Sequence, residues 1–204
     1  MNQATVLMTL IDPYVQSRYH ETPKLKKELA GDYEKRTWMN RMHVNEDGEV
    51  VIPARAFSGS LSEAAKFISL QIPGKGKSTY TKHFESGVKV IDDVPTGIKA
   101  EKAVPWEVFV PSNGVRGNGT RVMKTYPMIY SKPSIQVSVD YYISDDIITA
   151  EAFAHHLQQA GNLIGIGAFR VRNNGSYGRY RIDRIDWREK AEEEALPPIN
   201  YVNS

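Results

Sequence analysis

The chain has 204 residues, 41% of them hydrophobic and 25% charged, with 26 Lys and Arg against 24 Asp and Glu. That is enough apolar side chain for the core of one domain, and a net charge of +2 is too small to announce a polyanion-binding surface by its total. The absence of cysteine excludes a disulfide framework, a thiolate nucleophile and a Cys-ligated zinc.

Residues 4–11 (Ala-Thr-Val-Leu-Met-Thr-Leu-Ile) form an apolar, β-rich run closed by Asp12-Pro13, which predicts a central strand. Residues 14–48 are polar, mixed in charge and aperiodic, and read as an insertion or long loop with a helical turn around Lys24 to Leu29. Val50 to Ile52 is a brief strand stopped by Pro53. A helix follows, in which Ser60 and Glu63 have the spacing of a capping box and Leu61, Ala64, Ala65 and Ile68 repeat at helical intervals. Lys75, Lys77 and Lys82 mark a basic, flexible stretch, and Val88 to Ile91 another short strand. Residues 92–120, with three prolines and the run Ser112 to Gly119, read as a loop or hairpin tip. Residues 121–130 and 134–143 read as a hairpin turning at Ser131-Lys132-Pro133; in its second arm Ile135, Val137, Val139 and Tyr141 alternate with Gln136, Ser138 and Asp140. A helix over about 149–160 is capped by Thr149 and closed by Gly161, with Ala150, Phe153, Ala154 and Leu157 on its apolar face and His155 and His156 on its polar side and edge. The last strand spans about 178–187.

Strand, helix, two strands, helix, strand, with helices on one face of an antiparallel sheet, is the split βαβ order. The predicted class is α+β: a ferredoxin-like (RRM-like) βαββαβ unit over residues 1–188, with insertions at about 14–48 and 92–120 and an acidic tail at 189–204. No stretch approaches the roughly 18 apolar residues of a spanning helix, and no basic segment precedes an apolar one at the start. The expectation is a soluble, cytoplasmic protein that does not engage a membrane.

The segment from Gly165 to Arg181 carries the strongest chemical signal. Four glycines (Gly165, Gly167, Gly175, Gly178) permit close backbone approach. Five arginines lie between 170 and 184 against one acid, Asp183, and guanidinium forks suit phosphate. Tyr177 and Tyr180 offer ring faces to bases. On an extended strand Tyr177, Arg179 and Arg181 share one face, opposite Tyr180 and Ile182. The second segment, Val51 to Leu61, runs into the first predicted helix, whose N-terminus favours anions and brings Arg55 and Ser58 with it.

Together the two segments resemble the RAMP superfamily of CRISPR-associated proteins. The Ile52-Pro53 strand end, then Gly59 and Leu61 opening an Ala-rich helix, match one half of that pattern, and Gly165, Gly167, Gly175 and Gly178 match its glycine-rich loop. Ser58, where the family often has Lys, and Arg55, where it has a small residue, depart from it. The resemblance covers about half the chain, and residues 14–48 have no counterpart in it. It implies a ferredoxin-like palm with an inserted, thumb-like hairpin. It also implies a repeated backbone subunit that lines up along guide RNA, with itself and other effector-complex subunits as partners.

Lys75-Gly76-Lys77-Ser78 lacks the upstream glycine and strand of a nucleotide-hydrolysing loop, so Lys75 and Lys77 read as phosphate contacts. Arg116 and Arg121, in a stretch without acids, fall where the thumb would lie. The predicted nucleic-acid contacts are therefore Arg55, Ser58, Lys75, Lys77, Arg116, Arg121, Arg170, Arg172, Tyr177, Arg179 and Arg181, with no cofactor, no metal and no catalytic residue. The predicted function is sequence-independent binding of guide RNA or single-stranded nucleic acid, not catalysis. Two alternatives stay open: a phage single-stranded-DNA-binding protein, and a metal-independent guide-processing endoribonuclease using His20 or His43. A target-cutting role would fall to Asp32.

Overall fold

The structure is a computed structural model and describes residues 1–112, 119–132 and 134–189. Arg116 and the tail beyond Glu189 lie outside them. In chain order the elements are β1 (Asn2–Leu10), β2 (Tyr14–Val15), α1 (Ala30–Thr37), β3 (Glu49–Ile52), α2 (Ala54–Ile68), α3 (Thr81–Gly87), β4 (Val88–Lys89), β5 (Val94–Lys99), β6 (Val104–Pro111), β7 (Arg121–Ile129), β8 (Ile135–Ile143), α4 (Ala150–Gln159) and β9 (Tyr180–Arg188). The fold is mixed α/β with antiparallel sheets and, among the described residues, four α-helices.

The largest sheet runs β4-β8-β1-β9, each neighbouring pair antiparallel. Taken with α2 and α4 as crossovers, this order is compatible with the expected ferredoxin-like arrangement. Period-two alternation sets its two faces. Ala4, Val6, Met8 and Leu10 of β1 and Val137, Val139 and Tyr141 of β8 are buried in one core with Phe57 and Leu61 of α2 and Phe153 and Leu157 of α4. The other face is polar and cross-linked. Thr5 donates to Asp140 at 2.6 Å, and the Asp183 carboxylate accepts from Thr9, Gln136 and Arg181. β9 carries a bulge opposite Leu7 and Met8, so its alternation changes phase along the strand.

Several boundaries differ from the sequence reading. α2 begins six residues before Ser60, because Pro53 starts the helix and the Asp93 carboxylate caps it by accepting from the Ala54 N–H at 2.9 Å. Ser60 is therefore buried mid-helix beside the Tyr180 hydroxyl, and no capping box forms with Glu63. Residues 121–130 and 134–143 do not pair. β7 joins β6 in a second sheet ordered β2-β7-β6, while β8 joins β1. β7 pairs with the strand that precedes it, β6, although β8 follows at a shorter distance along the chain. Pro105 stands opposite Pro127 in that pair, so both missing N–H groups fall at one level of the ladder. Residues 92–120 thus hold β5 and β6 rather than a loop, and β5 pairs with β3. Residues 14–48 hold β2, α1 and a 3₁₀ turn at Trp38–Arg41. Helix α4 does not stop at Gly161 but runs on as a π-helical turn from Ala160 to Ile164, ended by Gly165.

His156 is fully buried, against the expectation of a polar edge, because α3 covers that side of α4. Its ring lies 4.3 Å from Phe84 and 5.4 Å from Tyr80, centroid to centroid. Nδ1 bonds the Ala152 carbonyl at 2.7 Å and so carries the proton, which leaves Nε2 bare and without a partner. Burial, aided by His155, holds its pKa below the usual histidine value. Below about pH 6.5 the unfolded chain takes up a proton that the folded chain refuses. This contribution to stability is complete above that pH and is lost as the pH falls. The urea midpoint should drop between pH 7.5 and pH 5.5, and drop less in His156→Leu; equal drops would mean that His156 does not carry the effect.

Candidate nucleic-acid interface

Three chain segments that are distant in sequence close around one cleft of about 530 Å³. Its walls are the segment after β1 (Tyr14, Gln16, Arg18), one side of α2 (Arg55, Gly59, Glu63) and the glycine-rich loop from Ile166 to Asn173, with His43 at one side.

Backbone contacts hold the loop in place. The Ile166 N–H donates to the Gly178 carbonyl at 2.9 Å, Ala168 to Val15 at 2.8 Å and Gly178 to Pro13 at 3.1 Å. Main chain this close to main chain leaves no room for side chains. Gly178 has φ +78°, and a Cβ there would overlap the Ile166 carbonyl oxygen. Gly167 has φ +79°, and a Cβ would sit 2.6 Å from the Val15 carbonyl oxygen. Phe169 is also left-handed, with φ +56°, an unusual state for a bulky residue. Its ring makes edge contacts with Trp106 at 4.9 Å and Tyr126 at 5.2 Å, which offset that strain and tie the β6–β7 hairpin to the loop.

The opposite wall depends on Gln16, which is buried. Its amide donates to the Val51 carbonyl at 2.8 Å and accepts from the His43 N–H at 2.6 Å. Behind this wall the buried Glu34 carboxylate binds Lys124 at 2.6 Å and Arg41 at 3.2 Å and accepts from the Thr125 N–H. Burial alone would raise the Glu34 pKa; these three cationic and N–H partners outweigh it and hold it below the usual value. Helix α1 is thereby fixed to β7.

The cleft has a positive potential. The His43 pKa is lowered by burial first and then by Arg18 and Arg55, so its ring is neutral at neutral pH. Burial raises the Tyr14 phenol far above its ordinary range, so it stays protonated. Among the described residues the one carboxylate on the lining is Glu63, which pairs with Arg170 (2.6 Å) and also with Arg172 (3.2 Å).

Of the residues expected at the site, Arg55 and Arg170 line the cleft, and Arg172 lines an adjoining groove. Ser58 is turned elsewhere, its hydroxyl accepting from the Val90 N–H at 2.9 Å. Arg179 forms a two-pronged pair with Asp12 (2.7 and 3.1 Å), and Arg181 pairs with Asp183. The acids facing these arginines come mostly from distant parts of the chain, so counting charges along 170–184 overstated the free positive charge. Tyr177 is half-buried, its ring edge-on to Trp106 at 5.2 Å, and Tyr180 is core. Lys75 and Lys77 are exposed on the turn between α2 and α3, and Arg121 is exposed at the start of β7; none of the three lines the cleft. Arg18 and Glu63 are lining groups that sequence reasoning missed, and His43, named there only as a candidate general acid or base, lines the cleft as well. Only the Tyr14-Val15 doublet after Asp12-Pro13 hinted at structure there. His20 lies in a separate groove, bonded to the Thr22 hydroxyl, and Asp32 is exposed in the first turn of α1. Among the described residues no group of three or more His, Cys, Asp or Glu is placed to hold a metal ion, and no helix is long and apolar enough to cross a membrane.

No family model matches the chain, and no curated protein matches it in sequence. Among solved structures it is similar to a chain of the Type III-B Cmr-beta complex bound to cognate target RNA, with a TM-score of 0.53 and 12% identity over 91% of this chain. It spans 60% of that chain's length. Looser similarities are to Cmr6 from Pyrococcus furiosus (TM-score 0.47, 13% identity, 89% of this chain and 99% of that one) and to a chain of a CRISPR RNA-guided surveillance complex (TM-score 0.38, 6% identity, 96% and 72%). The likeness to the Cmr-beta chain is one of fold, and it agrees with the resemblance to CRISPR effector subunits read from the sequence.

Because Gly178 meets main chain rather than a flexible side chain, Gly178→Ala should lower unfolding stability by about 2 kcal/mol or more, measured by urea titration. A loss below about 0.5 kcal/mol would mean that the loop is not packed as described.

Proposed function

We propose that this chain binds single-stranded nucleic acid, guide RNA in particular, along the basic cleft, as a repeated subunit of a cytoplasmic CRISPR ribonucleoprotein. The observation that carries the reading is the convergence of Arg18, Arg55 and Arg170 on one cleft floored by a glycine-rich loop. The likeness in fold to a chain of an RNA-bound complex supports it. On this reading the β4-β8-β1-β9 sheet with α2 and α4 is a ferredoxin-like palm, and the β6–β7 hairpin is the thumb. Guanidinium groups and loop N–H groups hold phosphates. Contacts of that kind carry no base information, so binding is independent of sequence. Copies of the chain and other effector subunits are its partners along the strand, and the bound RNA is not cut.

Fluorescence anisotropy with labelled single-stranded RNA tests the reading. Arg55→Ala combined with Arg170→Ala should weaken binding at least tenfold and reduce the slope of log K against log salt by about 0.7 per lost phosphate contact. Unchanged affinity and slope in the folded double variant would overturn it. Glu63→Gln releases Arg170 and Arg172 and removes a negative charge, so it should strengthen binding several-fold; weaker binding in a folded variant would show that Glu63 orders the arginines instead. End-labelled RNA incubated with excess protein, with and without magnesium, should stay intact. Cleavage abolished by His20→Ala or His43→Ala would replace binding with processing as the function.

A further inference from the structure

The cleft continues along α2 into a second groove of about 680 Å³, lined by Gly59, Ser62, Glu63, Lys66, Phe67 and Arg172. Helical periodicity explains which residues reach it. Phe57, Leu61, Ala64 and Ala65 point into the core, so residues 59, 62, 63, 66 and 67 form the outer stripe. Phe67 in that stripe is 55% exposed and is not part of the core cluster. The Arg172 guanidinium lies 5.2 Å from its ring centroid, and Lys66 precedes it in the chain.

Gly59 is the join between the two grooves. A Cβ there would meet nothing within 4 Å, so the fold does not require glycine at this point. Glycine inside a helix nevertheless costs about 1 kcal/mol relative to alanine. Gly59 and Glu63 line both grooves, so the cleft and the groove at the Phe67 ring meet along the helix, with Phe67 about 12 Å from Gly59. An exposed aromatic beside the Arg172 guanidinium, in a groove that adjoins a basic cleft, fits one kind of occupant. That occupant is flat, aromatic and attached to a chain of anions.

We propose that Phe67 is a stacking platform for an unpaired nucleobase of the strand whose phosphates occupy the cleft, with Arg172 moving from the ring face to a phosphate as the base arrives. This rests on the nucleic-acid reading above and adds a selectivity to it. A base in a duplex is already stacked and paired, so the platform favours single strands of any sequence.

The test compares an oligoadenylate with an abasic ribose-phosphate oligomer of equal length, titrated against wild type, Phe67→Ala and Phe67→Trp, with Arg170→Ala as a control. Circular dichroism checks that each variant is folded. Phe67→Ala should bind oligoadenylate about tenfold more weakly while binding the abasic strand as wild type does and keeping the salt slope. Phe67→Trp should retain or exceed wild-type affinity for oligoadenylate. Equal binding of oligoadenylate by wild type and Phe67→Ala, with Arg170→Ala still weakened, would overturn the platform and leave the cleft standing. Equal losses on both strands in Phe67→Ala would show that the ring acts through Arg172, and would also overturn stacking. Failure of wild type to bind either strand would remove the nucleic-acid reading itself, and the platform with it.

Discussion

The glycine-rich loop lies main chain against main chain with the segment that follows β1, through the Ala168–Val15 and Gly178–Pro13 hydrogen bonds, and the rest of the site depends on this contact. It brings the end of the last crossover onto the turn after the first strand, across more than 150 residues of chain. Once the loop is seated, Arg170 faces Glu63 of α2, and Phe169 turns the other way into the Trp106 and Tyr126 rings. The β6–β7 hairpin, the loop and α2 therefore cannot move independently without breaking a ring contact or an ion pair. A side chain at Gly167 or Gly178 would push the two backbones apart. The cleft would then lose one wall.

Electrostatic compensation shapes the surface as much as the count of basic residues does. Arg170 and Arg172 share Glu63, Arg179 holds Asp12, and Arg181 and Arg184 hold acids on their own strand. At exposed positions such pairs add little to stability. They do fix where each guanidinium rests. Arg18 and Arg55 carry no carboxylate partner among the described ion pairs, and their charges add to burial in holding the His43 pKa down. Positive charge is thus gathered on the lining of the cleft, although the whole chain carries a net charge of only +2.

What could be read from the sequence follows from how local each signal was. The alternation in β8 and the helical repeat of α2 and α4 depend on neighbours a few residues apart, and these elements stand where the pattern put them, apart from their ends. The end of α4 was misread because Gly161 looked like a stop; it instead sits beneath the Tyr180 main chain inside a π-helical turn. The β6–β7 pairing was hidden because the prolines of 92–120 made β6 look like loop, which left 121–130 to be paired with 134–143. Helix α3 has seven residues and is held by packing on His156, which leaves almost no periodicity to find. In the site, Arg55 and Arg170 stood out because each lies in a short recognisable segment. Arg18 and His43 did not, since their placement depends on Gln16 bridging to Val51, a contact across 35 residues.

The pairing of the arginines with carboxylates also bears on how a polyanion would be held. A guanidinium already extended along a carboxylate loses little further freedom when a phosphate replaces that partner, so the ordering cost of binding is small. The gain is small as well, because each new contact replaces an old one rather than adding to it. On the proposed reading Arg170, paired with Glu63 at 2.6 Å, would exchange that carboxylate for a phosphate. A site built on such exchanges holds any single phosphate weakly and a run of them well. On the proposed reading, affinity would grow with the length of strand engaged, not with the identity of any base. Base stacking on an exposed ring adds to that sum without selecting a sequence, because every base presents a π-face. An acid among the arginines therefore suits a surface that must engage many nucleotides in register and still release any one of them.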